Sequence, residues 1–396
     1  MALSVPPYDS IVALIQALVR VPSRAGEDAL QPVLSCVERW FEDRGLHFTR
    51  LQGPGGQALG VYAQVQGRRD GQRWTVLDAT LDTAGFGDLA TWSRPPTEAA
   101  VVDGWLQGRG SADSKAGAAI FAHLLQDFAA SRDSFGGRIG VLLDLDEHSG
   151  DFGGARAFFD PPAGTPPRPD GVIIGYPGID RIVAGSRGYL RARIVVHGVA
   201  AHSGGTQQRG LNAIDRALDL TRVLQAAAAA QVNLTDSAFG LPPAFTFTRI
   251  SGGSNAFSQV PDRCELGLDI RLTPAFADAH ARRLVDDVIA QHDRGQAAAP
   301  TGVEWLAGWP AYRVPDGDPM VVALRGAARG VLDPEPDTGV VGPSNIGNYL
   351  AQRGVPALAG FGVRYERIHA ADERIDLASI DPVYRIYREA LRRLHG

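Results

Sequence analysis

Residues 108–117 read GRGSADSKAG, a glycine-rich turn that leads directly into a helix expected over Ser114–Phe128. The arrangement looks superficially like a phosphate cradle. The GxxxxGKS/T spacing is absent, however, and Asp113 would repel an anion at the helix start. In ordinary helix chemistry Asp113 or Ser114 is simply the N-cap. A carboxylate at that place serves equally as a hard metal ligand.

Working outward, strand-like runs at 59–66 and 74–80 precede this turn, and others at 138–145 and 171–175 follow it. Ahead of them, Ile11, Val12, Leu14, Ile15, Leu18 and Val19 recur at helical spacing until Pro22 closes the run. A second amphipathic helix is expected over Leu30–Asp43, with Gly45 beyond it as a C-terminal signal. Strand–helix alternation of this kind argues for an α/β domain with a mostly parallel central sheet.

Near Gly188 the pattern changes. Residues 189–197 read as a long strand, Asn212–Ala230 as an alanine-rich helix, 243–250 and 263–272 as strands, 276–291 as a helix and 302–306 as a short strand. That β-α-β-β-α-β order is the ferredoxin-like arrangement, which forms a compact α+β unit alone. After Pro310 the alternation resumes, ending in a helix around Pro382–Leu394. At 396 residues the chain is too long for one ordinary core. The expected division is a discontinuous α/β domain, 1–187 and 309–396, interrupted by an inserted domain at 188–308. Residues 160–170, DPPAGTPPRPD, read as a surface loop.

With 44% hydrophobic and 21% charged residues the composition is globular, and a net charge of -5 with mixed signs gives no footprint for nucleic acid. No segment approaches the roughly 20 apolar residues that span a bilayer. Met1–Asp9 lacks a secretory pattern, so a cytoplasmic location is expected. Cys36 and Cys264 lie far apart, without metal-binding spacing, and read as buried, inert thiols.

Three further segments place polar residues at strand ends, where open α/β sheets gather their sites. Asp78, Thr80 and Asp82 share one face of the strand that ends near Leu81. Read alone, Asp82 is more simply the cap of the next turn. Asp144-Leu-Asp146-Glu147-His148 packs three aspartate or glutamate neighbours and a histidine at the end of the run 138–145, offering a base and a ligand side by side. An exposed acidic turn is the plainer alternative. His369-Ala-Ala-Asp372-Glu373 follows the apolar run 355–363, and a lone histidine is more often structural than a ligand.

Taken in order, these segments resemble the dinuclear zinc hydrolases that include acetylornithine deacetylase, succinyl-diaminopimelate desuccinylase, aminoacylase and glutamate carboxypeptidase. The likeness runs through Trp92 with Pro95-Pro96, Asp103-Gly104, GRGSADSKAG, Asp146-Glu147, Gly185-Ser-Arg-Gly188, Gly198-Val-Ala-Ala-His202, Asn212-Ala-Ile214, Val260-Pro261, Asp269-Ile-Arg271, and His369 with Glu373. It implies a catalytic domain plus a lid and dimerisation domain, and an amide hydrolase with Asp113 bridging two zinc ions and Glu147 as general base. One zinc would be completed by His148 and His369. For the other, Thr80 stands where the family has the histidine of an H-x-D motif, and Tyr176 stands where it has an acidic residue before a proline. A hydroxyl and a phenol are poor zinc ligands.

The resemblance with these departures implies a single zinc on Asp113, His148 and His369, with Asp82 orienting a neighbouring group. It also implies an oxyanion contact from His202 of a partner subunit, a substrate carboxylate held by Arg271, and contacts from Ser258 or Asn255. A homodimer through the lid domain follows. The substrate class implied is a small N-acyl amino acid or peptide-like molecule with a carboxylate. A metal-free member kept for binding, or repurposed for non-hydrolytic or acyl-transfer chemistry, is the alternative, and Thr80 and Tyr176 are its support.

Overall fold

The computed structural model describes residues 7–161, 164–206, 210–234, 239–296 and 298–396. Parts of the loop expected at 160–170 and of the N-terminal segment fall outside them. The chain forms two compact units. The first comprises Met1–Gly185, Val314–Gly339 and Asn345–Gly396, and the second Ser186–Arg313 and Val340–Ser344.

The first unit is built on a six-stranded sheet. In spatial order its strands are Phe48–Gln52, Ala58–Gln66, Gly136–Asp144, Arg69–Thr80, Gly171–Ile174 and Ala357–Leu358. The two outer strands at the first edge run antiparallel. The remaining pairs are parallel. Central parallel strands are covered on both faces, which is why 139–143 is apolar throughout rather than alternating.

Helix Ala116–Ala130 packs on the two central strands and buries Ile120, Phe121, Leu124, Leu125 and Phe128. At about 1.5–3 kcal/mol for each large side chain, this helix is a main anchor of the sheet. Helix Ile380–His395 meets it, with the Tyr387 and Phe121 rings edge to face at 5.1 Å. The helix begins close to the sheet because position 117 has no side chain. A Cβ on Gly117 would lie 2.2 Å from the Gly175 carbonyl oxygen.

A smaller antiparallel sheet in the same unit orders Tyr365–Glu366, Arg374–Asp376, Trp105–Gln107 and Ala100–Val102. It sets the turn that starts at Gly108 beside the loop 367–373. Neither Asp113 nor Ser114 caps the helix that follows. Asp113 has non-helical angles, and the Ser114 hydroxyl instead accepts from the Thr80 amide at 3.1 Å.

The second unit carries a four-stranded antiparallel sheet in the order Ala244–Gly252, Arg263–Leu272, Gly188–His197, Gly302–Trp309. Helices Ala213–Ala229 and Asp278–His292 contribute Ala217, Leu220, Leu224, Val285 and Ile289 to its core. Numbering its strands along the chain gives the spatial order 2-3-1-4, the ferredoxin-like topology. Cys264 is buried in this core, whereas Cys36 is only half-buried, contrary to the sequence expectation. Position 36 lies on the flank of its helix, beside the inward row Val33, Val37 and Phe41.

Candidate metal and catalytic site

Three neighbouring parallel strands end together in the first unit. Strand Arg69–Thr80 delivers Thr80 and Asp82, strand Gly136–Asp144 delivers Glu147 and His148, and strand Gly171–Ile174 delivers Tyr176. Register places Thr80 opposite Asp144 and Asp78 opposite Ile174. The turn residue Asp146 is left-handed at φ 70°, a conformation that Asp tolerates better than most side chains.

Asp82 organises the turn that carries the base, rather than capping its own. Its Oδ1 accepts from the Thr80 hydroxyl at 2.6 Å and the Glu147 amide at 3.2 Å. Its Oδ2 accepts from the His148 amide at 3.0 Å and pairs with His148 Nδ1 at 3.2 Å. Burial works against the Asp82 carboxylate, but the bonds to His148 and Thr80 hold it below the usual range. The acidic turn is therefore an internal one, fastened to the neighbouring strand.

His148 points its other nitrogen at Asp113, with Nε2 at 3.4 Å from Oδ2. His369 Nε2 reaches the same oxygen at 2.8 Å. One ligand atom from each of Asp113, His148 and His369 lies within 4.8 Å of the others. Asp113 and His148 are enclosed, whereas the His369 side chain is 54% exposed, so the cluster opens on that side.

Burial would raise the Asp113 carboxyl, but His148 and His369 together hold it well below the carboxylate range. Burial likewise opposes charge on His148, yet its bonds to Asp113 and Asp82 push the imidazole up to about 11. Glu147 lies beside them, with Oε1 accepting from the Tyr176 hydroxyl at 2.7 Å and Oε2 at 3.3 Å from His148 Nδ1. Its carboxyl is pushed up to about 7, chiefly by burial, against the pull of His148 and the Tyr176 hydrogen bond.

The donor set of Asp113, His148 and His369 suits a metal ion such as zinc. Among the described residues, Asp113 Oδ1 is buried without a hydrogen-bond partner, and the buried His148 Nε2 has only its 3.4 Å ion-pair contact with Asp113 Oδ2. Two imidazoles and a carboxylate suit tetrahedral zinc with one position left over. Asp82 on the far nitrogen of His148 is the orienting carboxylate that such a histidine ordinarily has. A metal ion on His148 Nε2 would take the place of a proton there, since metal binding needs the neutral imidazole. Thr80 and Tyr176, which stand where the resemblance sets ligands of a second ion, offer a hydroxyl and a phenol, and these are poor zinc ligands. The Thr80 hydroxyl is committed to Asp82, and the Tyr176 hydroxyl to Glu147.

Behind Asp113 stands a support that the sequence reading left unassigned. Glu373 is fully buried and pairs with Arg109 at 2.7 Å, itself only 3% exposed. The other oxygen of Glu373 accepts from the amides of Ala112 at 2.9 Å and Asp113 at 3.3 Å. Arg109 also donates to the His369 carbonyl at 3.2 Å. Asp372 takes Gln107 Nε2 at 2.6 Å and the Ser93 amide at 2.9 Å. One ion pair thus holds both the Asp113 turn and the His369 loop.

Of the residues singled out from sequence, Asp82, Asp113, Glu147, His148 and His369 come together here. His202, Asn255, Ser258 and Arg271 belong to the second unit. There His202 Nδ1 accepts from the Gly204 amide at 3.1 Å, and the Ser258 carbonyl accepts from the Ser203 amide at 2.7 Å. Arg271 pairs with Asp269 at 2.8 Å, and Asn255 is exposed.

Asp78 and Asp144 lie on the same face of adjacent strands, fully buried. None of their four side-chain oxygens has a hydrogen-bond partner of normal geometry among the described residues. Burial pushes both carboxyls well above their ordinary value, with Glu147 adding for Asp78, and Asp78 and Asp82 adding for Asp144. A carboxyl raised in the folded state binds a proton that the unfolded chain has released. Stability is therefore lost as pH rises above the unfolded value. Asp144→Asn is expected to stabilise the protein, with a gain near zero at pH 4 that grows towards pH 7 in urea denaturation. A gain that shrinks with pH would contradict a neutral Asp144.

On an α/β sheet, this strand-end cluster beside the part-buried Glu147 is an arrangement that can hold a metal ion next to a proton acceptor, as hydrolases use. The sequence matches the peptidase family M20/M25/M40 over residues 76–393, and the chain belongs to that family. It is 26% identical to a succinyl-diaminopimelate desuccinylase of Magnetococcus marinus over 396 aligned residues, covering 97% of this chain and 98% of the relative.

Among solved structures, the aminopeptidase PepT of Bacillus cereus superposes with a TM-score of 0.77 at 20% identity, with 98% of each chain covered. The Bacillus subtilis YXEP protein, described as a dinuclear metal binding peptidase of the M20 family, gives 0.70 at 15% identity, again with 98% of each covered. The protein is thus a hydrolytic enzyme of the amidohydrolase and deacylase kind. No helix among the described residues is long and apolar enough to cross a membrane.

Proposed function

We propose that the protein hydrolyses an amide bond in a small N-acyl amino acid or peptide-like substrate bearing a carboxylate, with one zinc ion and Glu147 as general base. The observation that carries this reading is the convergence of Asp113, His148 and His369 within 4.8 Å, beside the part-buried Glu147. A zinc ion held there would supply Lewis-acid polarisation of the scissile carbonyl and a water of lowered pKa.

The chain's own groups do the rest. Glu147 takes a proton from the attacking water and returns it to the leaving nitrogen. Asp82 keeps His148 oriented through Nδ1. His369, on the open side, borders the path by which substrate enters. Arg271 suits a substrate carboxylate, since guanidinium matches its geometry. His202 of a partner subunit supplies a donor to the developing oxyanion, with further contacts from Ser258, whose carbonyl accepts from the Ser203 amide at 2.7 Å, or from Asn255. This makes the working form a homodimer through the second unit. The desuccinylase name of the relative supports an acylated amino acid as substrate class.

Metal analysis of protein purified without added zinc tests the reading directly. About one zinc per chain is expected, with His148→Ala retaining less than about a tenth of it. Full activity in protein that holds no metal would sink the proposal. Such a result would favour the metal-free alternative, for which the observation is that Thr80 and Tyr176 close part of the cluster with protein hydrogen bonds. Product analysis with an added amine acceptor separates hydrolysis from acyl transfer.

A further inference from the structure

Tyr176 is the one neutral donor that reaches the carboxylate oxygens of Glu147 in the described site. Its place is set by backbone packing rather than by a flexible loop. Gly175 lies directly under the start of helix Ala116–Ala130, where a Cβ on Gly117 would collide with it at 2.2 Å. On the other side, a Cβ on Gly362 would lie 2.4 Å from the Tyr176 carbonyl oxygen. The segment is tied again by the Gly178 amide on the Val363 carbonyl and the Gly362 amide on the Gly178 carbonyl, both at 2.9 Å.

The phenol emerges from this clamp among acids. Burial pushes its pKa well above the ordinary value, and Glu147, Asp113 and Asp78 add to the shift. It therefore keeps its proton and acts as a donor. Glu147 is pinned at three points: its amide on Asp82 Oδ1 at 3.2 Å, its Oε1 under the phenol at 2.7 Å, and its Oε2 at 3.3 Å from His148 Nδ1. A glutamate has three side-chain torsions, and two of these contacts fix the carboxylate end itself.

We infer that Tyr176 is a positioning residue for the reaction: its hydroxyl, donated to Oε1, holds the Glu147 carboxylate in the orientation from which Oε2 accepts the proton of the attacking water. The inference rests on the reading of Glu147 as the base. A carboxylate freed from this hold samples other rotamers, and misplacement of a reacting group by about 1 Å lowers rates by about a hundredfold. No proton passes through the phenol in this account. It donates a hydrogen bond before, during and after the transfer.

The test is a cycle of Tyr176→Phe, Glu147→Gln and the double variant, each checked for zinc content and melting temperature. Tyr176→Phe is expected to lower kcat by roughly 10- to 100-fold with KM within about twofold. In the Glu147→Gln background the same change should remove nothing further, since there is no base left to position. A wild-type kcat in Tyr176→Phe, or an undiminished further loss in the double variant, overturns the inference while leaving the base assignment standing. Full activity in Glu147→Gln defeats the base assignment instead.

Infrared spectroscopy of glutamate-labelled protein reads the hydrogen bond without turnover. The carboxylate band that Glu147→Gln removes is expected to shift in Tyr176→Phe, and an unmoved band overturns the inference. Should phenylalanine disturb folding, Tyr176→3-fluorotyrosine keeps the packing and changes only the donor strength. The same band then shifts, or the inference fails.

Discussion

Glu147→Gln is expected to lower kcat/KM by about a thousandfold, the middle of the range for losing a positioned general base. That corresponds to about 4 kcal/mol of transition-state stabilisation. The substitution is close to isosteric, and its amide oxygen still accepts from the Tyr176 hydroxyl now 2.7 Å away. What it removes is the ability to take a proton. Asp113, His148 and His369 are untouched, so zinc content should stay at the wild-type value while turnover collapses. Steady-state kinetics beside metal analysis on the same preparation checks both halves. Activity within about threefold of wild type would eliminate Glu147 as the base, because general base catalysis contributes at least about a hundredfold.

The sequence carried the fold because the patterns that define it are local. Apolar stretches within 138–145 and 171–175 mark strands buried on both faces, and the β-α-β-β-α-β order from Gly188 onward marks the second unit. The site was legible only in part. Asp82, Glu147 and His148 sit at strand ends, where a residue's place along the strand foretells its place in space. His369 and Asp113 were joined to them through the resemblance, since nothing within either segment shows that the imidazole reaches the Asp113 carboxylate.

The roles of Arg109 and Glu373 were hidden for a physical reason. An arginine 264 positions from its partner leaves no periodic trace, and charged residues are ordinarily read as solvated. The same holds for Asp78 and Asp144. Their burial follows from strand pairing, which composition does not report. Cys36 erred in the opposite direction, because an apolar residue type on the flank of a helix says less than its angular position.

The buried pair behind Asp113 leads to the second large effect. Glu373→Ala is expected to destabilise the protein by about 3–5 kcal/mol, the range for breaking a buried ion pair from one side. The loss has three identifiable parts. Arg109, 3% exposed, keeps a charge in the interior with its carboxylate gone. The amides of Ala112 and Asp113 lose their acceptor. A cavity opens where the side chain was fully enclosed.

Because burial alone pushes the Glu373 carboxyl up and Arg109 pulls it down, the pair survives on its mutual contact rather than on either partner's preference for the interior. Removing both charges with Arg109→Met and Glu373→Leu should therefore cost clearly less than the two single losses added together. Urea denaturation with a shared m-value measures Glu373→Ala, the two other single variants and the double. The double variant separates stability from function. It restores apolar packing but leaves the Asp113 amide without its acceptor, so it should fold better than Glu373→Ala while still binding zinc more weakly than wild type. A loss below about 1 kcal/mol in Glu373→Ala would place this pair among surface-like ion pairs and remove the support assigned to the Asp113 turn.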